Sequence, residues 1–332
     1  MLTLPSFRLH RPVRLEEALR ILREEGDRAR PLAGGTDLVV NIRNRLFTPA
    51  HVIALGRIRE LDGIAHDARS GLRIGALARV ADLAGNPAVR RLYPVLAEAA
   101  ASVAGPTLRQ MGTAGGNLCV ETRCQWYNQS FFWRKACGFC LKKDGTVCHV
   151  APGSEICLAA YSGDLAPALL ALDAEIAIRS VDGERRVPLA VFYRDDGART
   201  FDLAPDEIIA EIRVPASRAG LAGVYRKLRS RGSIDFPLAG VAVVARTEGG
   251  TLHDASVALT AVSPRPFTVP GAREALEGRD LGDADALKDA ARLARRSATP
   301  LRTTGALPPA YRKHRVGLFV RDALRALGSP PA

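Results

Sequence analysis

The 332-residue chain is short of aromatics, lysine and long apolar stretches, and each shortage excludes something. No apolar run approaches the roughly 18 residues a membrane span requires. The start, MLTLPSFRLHRPVRLEE, lacks the apolar centre of a secretory signal, so a cytoplasmic protein that engages no membrane is expected. Hydrophobic residues make up 47% and charged residues 25%, too apolar a mixture for disorder and without the glycine period of a fibrous chain. At about 100 to 200 residues per domain, two or three domains are expected. Lysine occurs six times against 41 arginines, and the net charge is +12. That charge is spread over every region, with no long basic block and no nucleic-acid-binding motif, so no nucleic-acid partner is expected. Cysteine is the scarcity that carries most information. All six cysteines fall between Cys119 and Cys157, and the rest of the chain has none. In a reducing compartment such a cluster reads as metal or redox ligands before it reads as a disulfide framework.

The first 60 residues alternate. VRLEEALRILREEG has apolar positions at helical spacing, ARPLAGG is a short strand entering a glycine turn, TDLVVNIRNRL is helical and HVIALG is a strand. From about residue 61, GLRIGALARVADLAG supplies a strand and a helix, and RRLYPVLAEAAASVA another helix. The pattern resumes after the cysteines at YSGDLAPALLALDAEIAIRS, where Asp164 is placed to cap a helix with Pro167 in its first turn. Beyond residue 220, GVAVVARTEGGTLHDASVALTAV reads as a hairpin turning at Gly-Gly. DADALKDAARLARR and AYRKHRVGLFVRDALRAL then read as helices packed on one face of an antiparallel sheet.

Two glycine segments share a small-Gly-Gly-polar pattern: Leu32-Ala33-Gly34-Gly35-Thr36-Asp37-Leu38, and Thr113-Ala114-Gly115-Gly116-Asn117-Leu118. Paired glycines let backbone N–H groups converge on an anion, and a following helix adds its N-terminal dipole. Taken singly, such a pair commonly just turns the chain; two of them about 80 residues apart suit a pyrophosphate gripped from two sides. Neither matches the Rossmann or P-loop spacing, so a dinucleotide such as FAD implies a different fold.

The cysteine window also holds both tryptophans, Trp126 and Trp133, with Tyr127, Phe131, Phe132 and Phe139, and three of the six lysines, Lys135, Lys142 and Lys143. Those cations suit either the negative charge of a thiolate-bound cluster or an acidic partner. A four-cysteine zinc site usually presents two close pairs, and only Cys137-x-x-Cys140 has that spacing. A thioredoxin-type pair there leaves four cysteines unexplained. A cubane iron-sulfur cluster tolerates wide ligand spacing, and bulky aromatics around it would exclude water. The same aromatics could equally form the small core that any long insertion needs. His149, beside Cys148, reads as a packing or solvent-facing histidine rather than a ligand. No nucleophile, histidine and acid come together in a catalytic pattern, so no catalytic residue is assigned.

LAGGTDLVVNIR and MGTAGGNL resemble the two FAD-binding loops of the medium, flavin-carrying subunit of the molybdenum hydroxylase (xanthine dehydrogenase) family. In most such subunits the second loop runs almost directly into a segment like SGDLAPALLAL, whereas about 40 residues intervene here. The insertion is similar to that of the beta subunits of 4-hydroxybenzoyl-CoA reductases, where it carries a [4Fe-4S] cluster. The likeness rests on the order N-L-C-x-x-T-R-C, W-R-K, F-C-x-K-K-D-G-T and a cysteine before S-x-D-x-A-P-A-L-L-A-L, and it extends over essentially the whole chain.

The resemblance implies an α+β fold: a two-subdomain, PCMH-type FAD-binding domain over residues 1–218, with a subdomain boundary near 57–60 and an iron-sulfur insertion at about 119–160. A C-terminal domain with an antiparallel sheet and helices would span 219–332. It implies cluster ligands at Cys124, Cys140, Cys148 and Cys157, with Cys119 a non-ligand and Cys137, close to Cys140, leaving the second ligand open. FAD contacts are implied for Pro31, Leu32, Ala33, Gly34, Gly35, Thr36, Asp37 and Leu38, for Thr113, Ala114, Gly115, Gly116 and Asn117, and for Gln125, Asp164 and Lys227. A surface salt bridge is the competing expectation for Lys227, and Asp235-Phe236-Pro237 reads as structural. The implied partners are a molybdopterin catalytic subunit and a subunit with two [2Fe-2S] centres, assembled as a dimer of heterotrimers, with ferredoxin as electron donor. The implied reaction is reductive dehydroxylation of 4-hydroxybenzoyl-CoA to benzoyl-CoA. The alternatives are a related molybdenum hydroxylase with another substrate, or a zinc-binding interaction module without flavin.

Overall fold

In the helix Leu15–Glu25 the buried residues Leu15, Ala18, Leu19 and Leu22 recur at helical spacing and form one apolar stripe. That stripe covers a parallel three-stranded sheet made of β1 (Arg8–His10), β2 (Ala29–Leu32) and β3 (His51–Ala54), in the order β1-β3-β2. Parallel strands need crossovers, and the helices Leu15–Glu25 and Leu38–Arg43 supply them. The turn after β2 therefore opens at the carboxyl end of the sheet, where α/β units form ligand crevices. The computed structural model describes residues 3–303 and 307–328.

A second sheet is antiparallel: β4 (Ile64–Asp67), β5 (Gly71–Gly75), β6 (Glu175–Ser180), β7 (Gly183–Pro188) and β8 (Ile208–Val214), in the order β4-β5-β8-β6-β7. The single helix expected around residues 90–104 is instead two, Pro87–Leu92 and Pro94–Ser102. Tyr93, at φ −139° and ψ 56°, breaks it because the ring of Pro94 disfavours helical geometry in the residue before it. The helix Leu165–Ala171 forms as expected but is capped differently. Asp164 makes no capping bond; the side-chain oxygen of Asn117 accepts the Leu165 N–H at 3.0 Å instead.

The third sheet contains β9 (Ala222–Leu228), β10 (Ala239–Glu248), β11 (Thr251–Thr260) and β12 (Phe267–Thr268), in the order β12-β11-β10-β9. β10 and β11 form the expected hairpin around Gly249 and Gly250. Side chains alternate across it. Val241, Val243, Val257 and Leu259 pack under the helices Ala284–Ser297 and Pro309–Ala326, while Ala242, Val244 and Ala258 enter the core of the second-sheet unit. Burial on both faces accounts for the unbroken apolar run GVAVVA. The fully buried Arg312 donates to the carbonyls of Leu238 (2.7 Å), Leu301 (2.9 Å) and Ala261 (2.6 Å), tying the last helix to the sheet ends. The fold is α+β as the resemblance implies, and no helix among the described residues is long and apolar enough to cross a membrane.

Candidate cofactor sites

The two glycine segments meet. A Cβ on Gly34 would lie 1.8 Å from the Met111 carbonyl oxygen, so only glycine admits the turn leading into the second segment, and Gly35 turns the chain at φ +74°. The second segment is not an open turn but a single helical turn, Ala114–Leu118, with the Thr113 hydroxyl accepting the Gly116 N–H at 3.2 Å. Between them opens a cleft of about 1180 Å³. That exceeds the roughly 300–1,000 Å³ of ordinary small-molecule pockets and suits a dinucleotide.

Pro31, Ala33, Gly34, Gly35, Thr36, Asp37 and Leu38 line this cleft from one side, and Thr113, Gly116 and Asn117 from the other. Three residues of the segments stand behind the lining. Leu32 pairs with Ala54 in the β2–β3 ladder, Ala114 is buried, and Gly115 packs on Ala76. Asp37 faces the cleft, but its carboxylate is already held by Arg123, by the Asn41 side chain (3.1 Å) and by the Glu121 N–H (3.1 Å). Asp164 reaches the cleft floor, where it accepts from the Tyr225 hydroxyl (2.8 Å) and the Lys227 ammonium (3.0 Å). Burial pushes its carboxyl up, and Lys227 opposes that shift. Lys227 is therefore a buried partner of Asp164, also donating to Ser102 O, and not a surface ion pair or a lining residue. Gln125 lies outside the cleft, bonded through its side-chain amide to Arg302 O at 3.1 Å.

Two walls of the cleft escaped sequence reasoning. One is the β7–β8 connection, with Arg194, Arg199 and Thr200; the other is Ile234 with Phe236, between β9 and β10. The first carries no motif; the second includes Asp235 and Phe236 of the run read above as structural, and both of these line the cleft.

The cysteine segment leaves and rejoins the fold at one neck, where Arg123 and Ala160 exchange backbone hydrogen bonds of 2.7 and 3.0 Å. Beyond the neck, Cys124, Cys140, Cys148 and Cys157 are buried and line one small void with Trp126, Tyr127 and His149. Cys137 ends the helix Phe131–Ala136 outside the void, and Cys119 lies in the cleft. All six thiols are free. Burial pushes the Cys124 and Cys157 thiols up to about 11. The donor set suits a thiolate-bound metal group. Ala159 N–H donates to Cys157 Sγ at 3.4 Å, and the buried Lys142 ammonium sits 4.4 Å from the centre of the Tyr127 ring. His149, which also lines the void, spends its Nε2 on Phe139 O. Among the described residues, no group of three or more Cys, His, Asp or Glu is placed to hold a single metal ion.

A dinucleotide-sized cleft gripped by two glycine segments, beside a two-faced antiparallel sheet, suits a dinucleotide-binding protein. Residues 5–217 match the family described as FAD binding domain in molybdopterin dehydrogenase, and residues 223–327 the CO dehydrogenase flavoprotein C-terminal domain. The chain is 33% identical over 276 residues to the medium chain of carbon monoxide dehydrogenase from Hydrogenophaga pseudoflava, covering 83% of this chain and 81% of that one. It is 35% identical over 266 residues to the aldehyde oxidoreductase FAD-binding subunit PaoB of Escherichia coli (strain K12), covering 77% and 81%. The solved structure of carbon monoxide dehydrogenase from Hydrogenophaga pseudoflava lacking the Mo-pyranopterin moiety superposes with a TM-score of 0.79 at 30% identity, over 98% of both chains. The chain belongs to the FAD-binding medium subunits of the xanthine dehydrogenase and carbon monoxide dehydrogenase family of molybdenum hydroxylases.

Proposed function

We propose that this chain is the electron-transfer subunit of a 4-hydroxybenzoyl-CoA reductase, carrying FAD in the cleft and a [4Fe-4S] cluster on Cys124, Cys140, Cys148 and Cys157. The observation that carries the cluster is the convergence of these four buried thiols on one void. The void supports Cys140 over Cys137 as second ligand. The order of motifs around the insertion supports the substrate. In this reading the FAD-binding unit spans 1–218 and the C-terminal unit 219–332. The partners are a molybdopterin subunit and a [2Fe-2S] subunit in a dimer of heterotrimers, and electrons from reduced ferredoxin pass by way of the two cofactors to those partners. The likeness to carbon monoxide dehydrogenase and aldehyde oxidoreductase subunits supports a second reading, a molybdenum hydroxylase with another substrate.

Protein purified without air should hold about four irons with acid-labile sulfide and one FAD per chain. Cys148→Ser should lose most of that iron and the EPR signal of the reduced cluster while keeping FAD. Full iron in Cys148→Ser would overturn the ligand assignment, and one zinc without flavin in the wild type would remove the cluster. The complex with its partner subunits should convert 4-hydroxybenzoyl-CoA to benzoyl-CoA with reduced ferredoxin; turnover of a different substrate class alone would favour the second reading.

A further inference from the structure

Arg123 stands where three separately folded segments meet. Its backbone closes the neck of the cysteine segment against Ala160, one residue before Cys124. Its guanidinium pairs with Asp37 of the first glycine segment, and both side chains are largely buried. The same guanidinium lies 4.1 Å from the centre of the Phe236 ring, on the segment between β9 and β10. That segment forms one wall of the cleft through Ile234, Asp235 and Phe236. It has its own internal order, since the Asp235 carboxylate accepts the N–H groups of Ser230 (2.8 Å) and Arg231 (3.1 Å). Across the cleft it is held by the Ile234 N–H bond to Ala104 O at 3.2 Å and by the Arg123–Phe236 contact. Ile234 sits at φ +53°, a strained conformation for a β-branched residue, which a segment keeps only when its surroundings impose it. Phe236 and Ile234 are exposed large apolar side chains although they border a cleft, so their position is set by these few contacts and not by core packing.

We propose that Arg123 is a positioning residue for FAD, fixing Asp37 on one side of the cleft and Phe236 on the other, so that retention of the flavin depends on the neck of the cysteine segment. Arg123 is the arginine of N-L-C-x-x-T-R-C, but neither that motif nor the glycine motifs give it this role. The physical grounds are that a buried carboxylate needs its cation, and that a planar guanidinium can bond a carboxylate through one nitrogen while its face lies on an aromatic ring. The inference concerns the FAD cleft, so its readout is flavin binding and it stands or falls independently of the metal bound by the four cysteines.

The test uses the full-length chain purified without air, with FAD affinity measured by flavin fluorescence and iron measured on the same samples. Arg123→Leu should weaken FAD binding about tenfold or more, since it leaves the Asp37 carboxylate unpaired. Phe236→Ala touches only an exposed side chain and should weaken binding about threefold, with more flavin fluorescence quenched by iodide. The double variant should bind FAD no more weakly than Arg123→Leu, because the ring has lost its partner already. Arg123→Lys should fall between wild type and Arg123→Leu. Affinity within about twofold of wild type in Phe236→Ala, or single effects that multiply in the double variant, would overturn the proposal. Iron absent from every sample, with these flavin effects intact, would sink the cluster assignment and leave Arg123 in place.

Discussion

Asp164 shows how a residue can sit where its sequence context predicts and do something else. The motif SGDLAP reads as a helix start, and the helix does begin at Leu165. The carboxylate turns instead to Tyr225 and Lys227, about 60 residues onward, and neither lies within any local pattern. The pair separates the two roles experimentally. Asparagine is an excellent N-cap, so a capping Asp164 would tolerate Asp164→Asn. As the partner of a buried lysine it cannot, because Lys227 loses its carboxylate counter-charge and keeps only the Ser102 carbonyl. Asp164→Asn should cost about 3 kcal/mol in denaturant unfolding, and replacing both partners by Asp164→Asn with Lys227→Met should recover most of that loss. A silent Asp164→Asn would return the residue to a capping role. At this scale the sequence discloses residue types held by local geometry, such as Gly35 and the cysteines. It conceals pairs such as Arg123 with Phe236, whose only link is the fold.

At the scale of elements, long periodic segments were legible and short ones were not. The helices at 15–25, 284–297 and 309–326 bury one face, and their apolar spacing announces it. Alternation announced the β10–β11 hairpin equally well. The β7–β8 connection has no such period and became visible only as a wall of the cleft. The glycine segments lie between these cases. Their composition revealed a close backbone approach but not its partner, which is in part each other: Gly34 lies against the carbonyl of Met111. Gly34→Ala must push these two backbones apart, since a carbonyl cannot rotate away as a side chain would. The expected cost is about 1–3 kcal/mol with loss of most bound FAD, measured by thermal unfolding and by flavin absorbance of the purified chain. A Gly34→Ala variant with full FAD and unchanged melting would mean that the segments can separate without consequence.

Across the whole molecule, the cysteine segment beyond the Arg123–Ala160 neck stands apart from the cores that cover the three sheets. It has a small core of its own, formed by Leu46, Tyr127, Ala159 and three of the cysteines. From that core an aromatic pair leads outward. Trp126 lines the void and lies 5.6 Å from Trp133, which is 39% exposed beside Phe132 at 71%. Lys135 is exposed on the same short helix. Exposed aromatics with a cation, placed one aromatic pair away from the proposed cluster, suit an acidic protein donor, and attraction between unlike charges acts chiefly on the rate of encounter. Lys135→Glu should therefore slow reduction by ferredoxin several-fold at low ionic strength. The difference should fade above about 0.1 M salt, where the Debye length falls to roughly 10 Å. Reduction by dithionite, a small anion that needs no docking face, should change far less, and iron content should not change. A stopped-flow series over ionic strength reads all of this from the cluster absorbance. If Lys135→Glu keeps both the wild-type rate and the wild-type salt dependence, electrons enter elsewhere, and the aromatic face belongs to contact with another subunit.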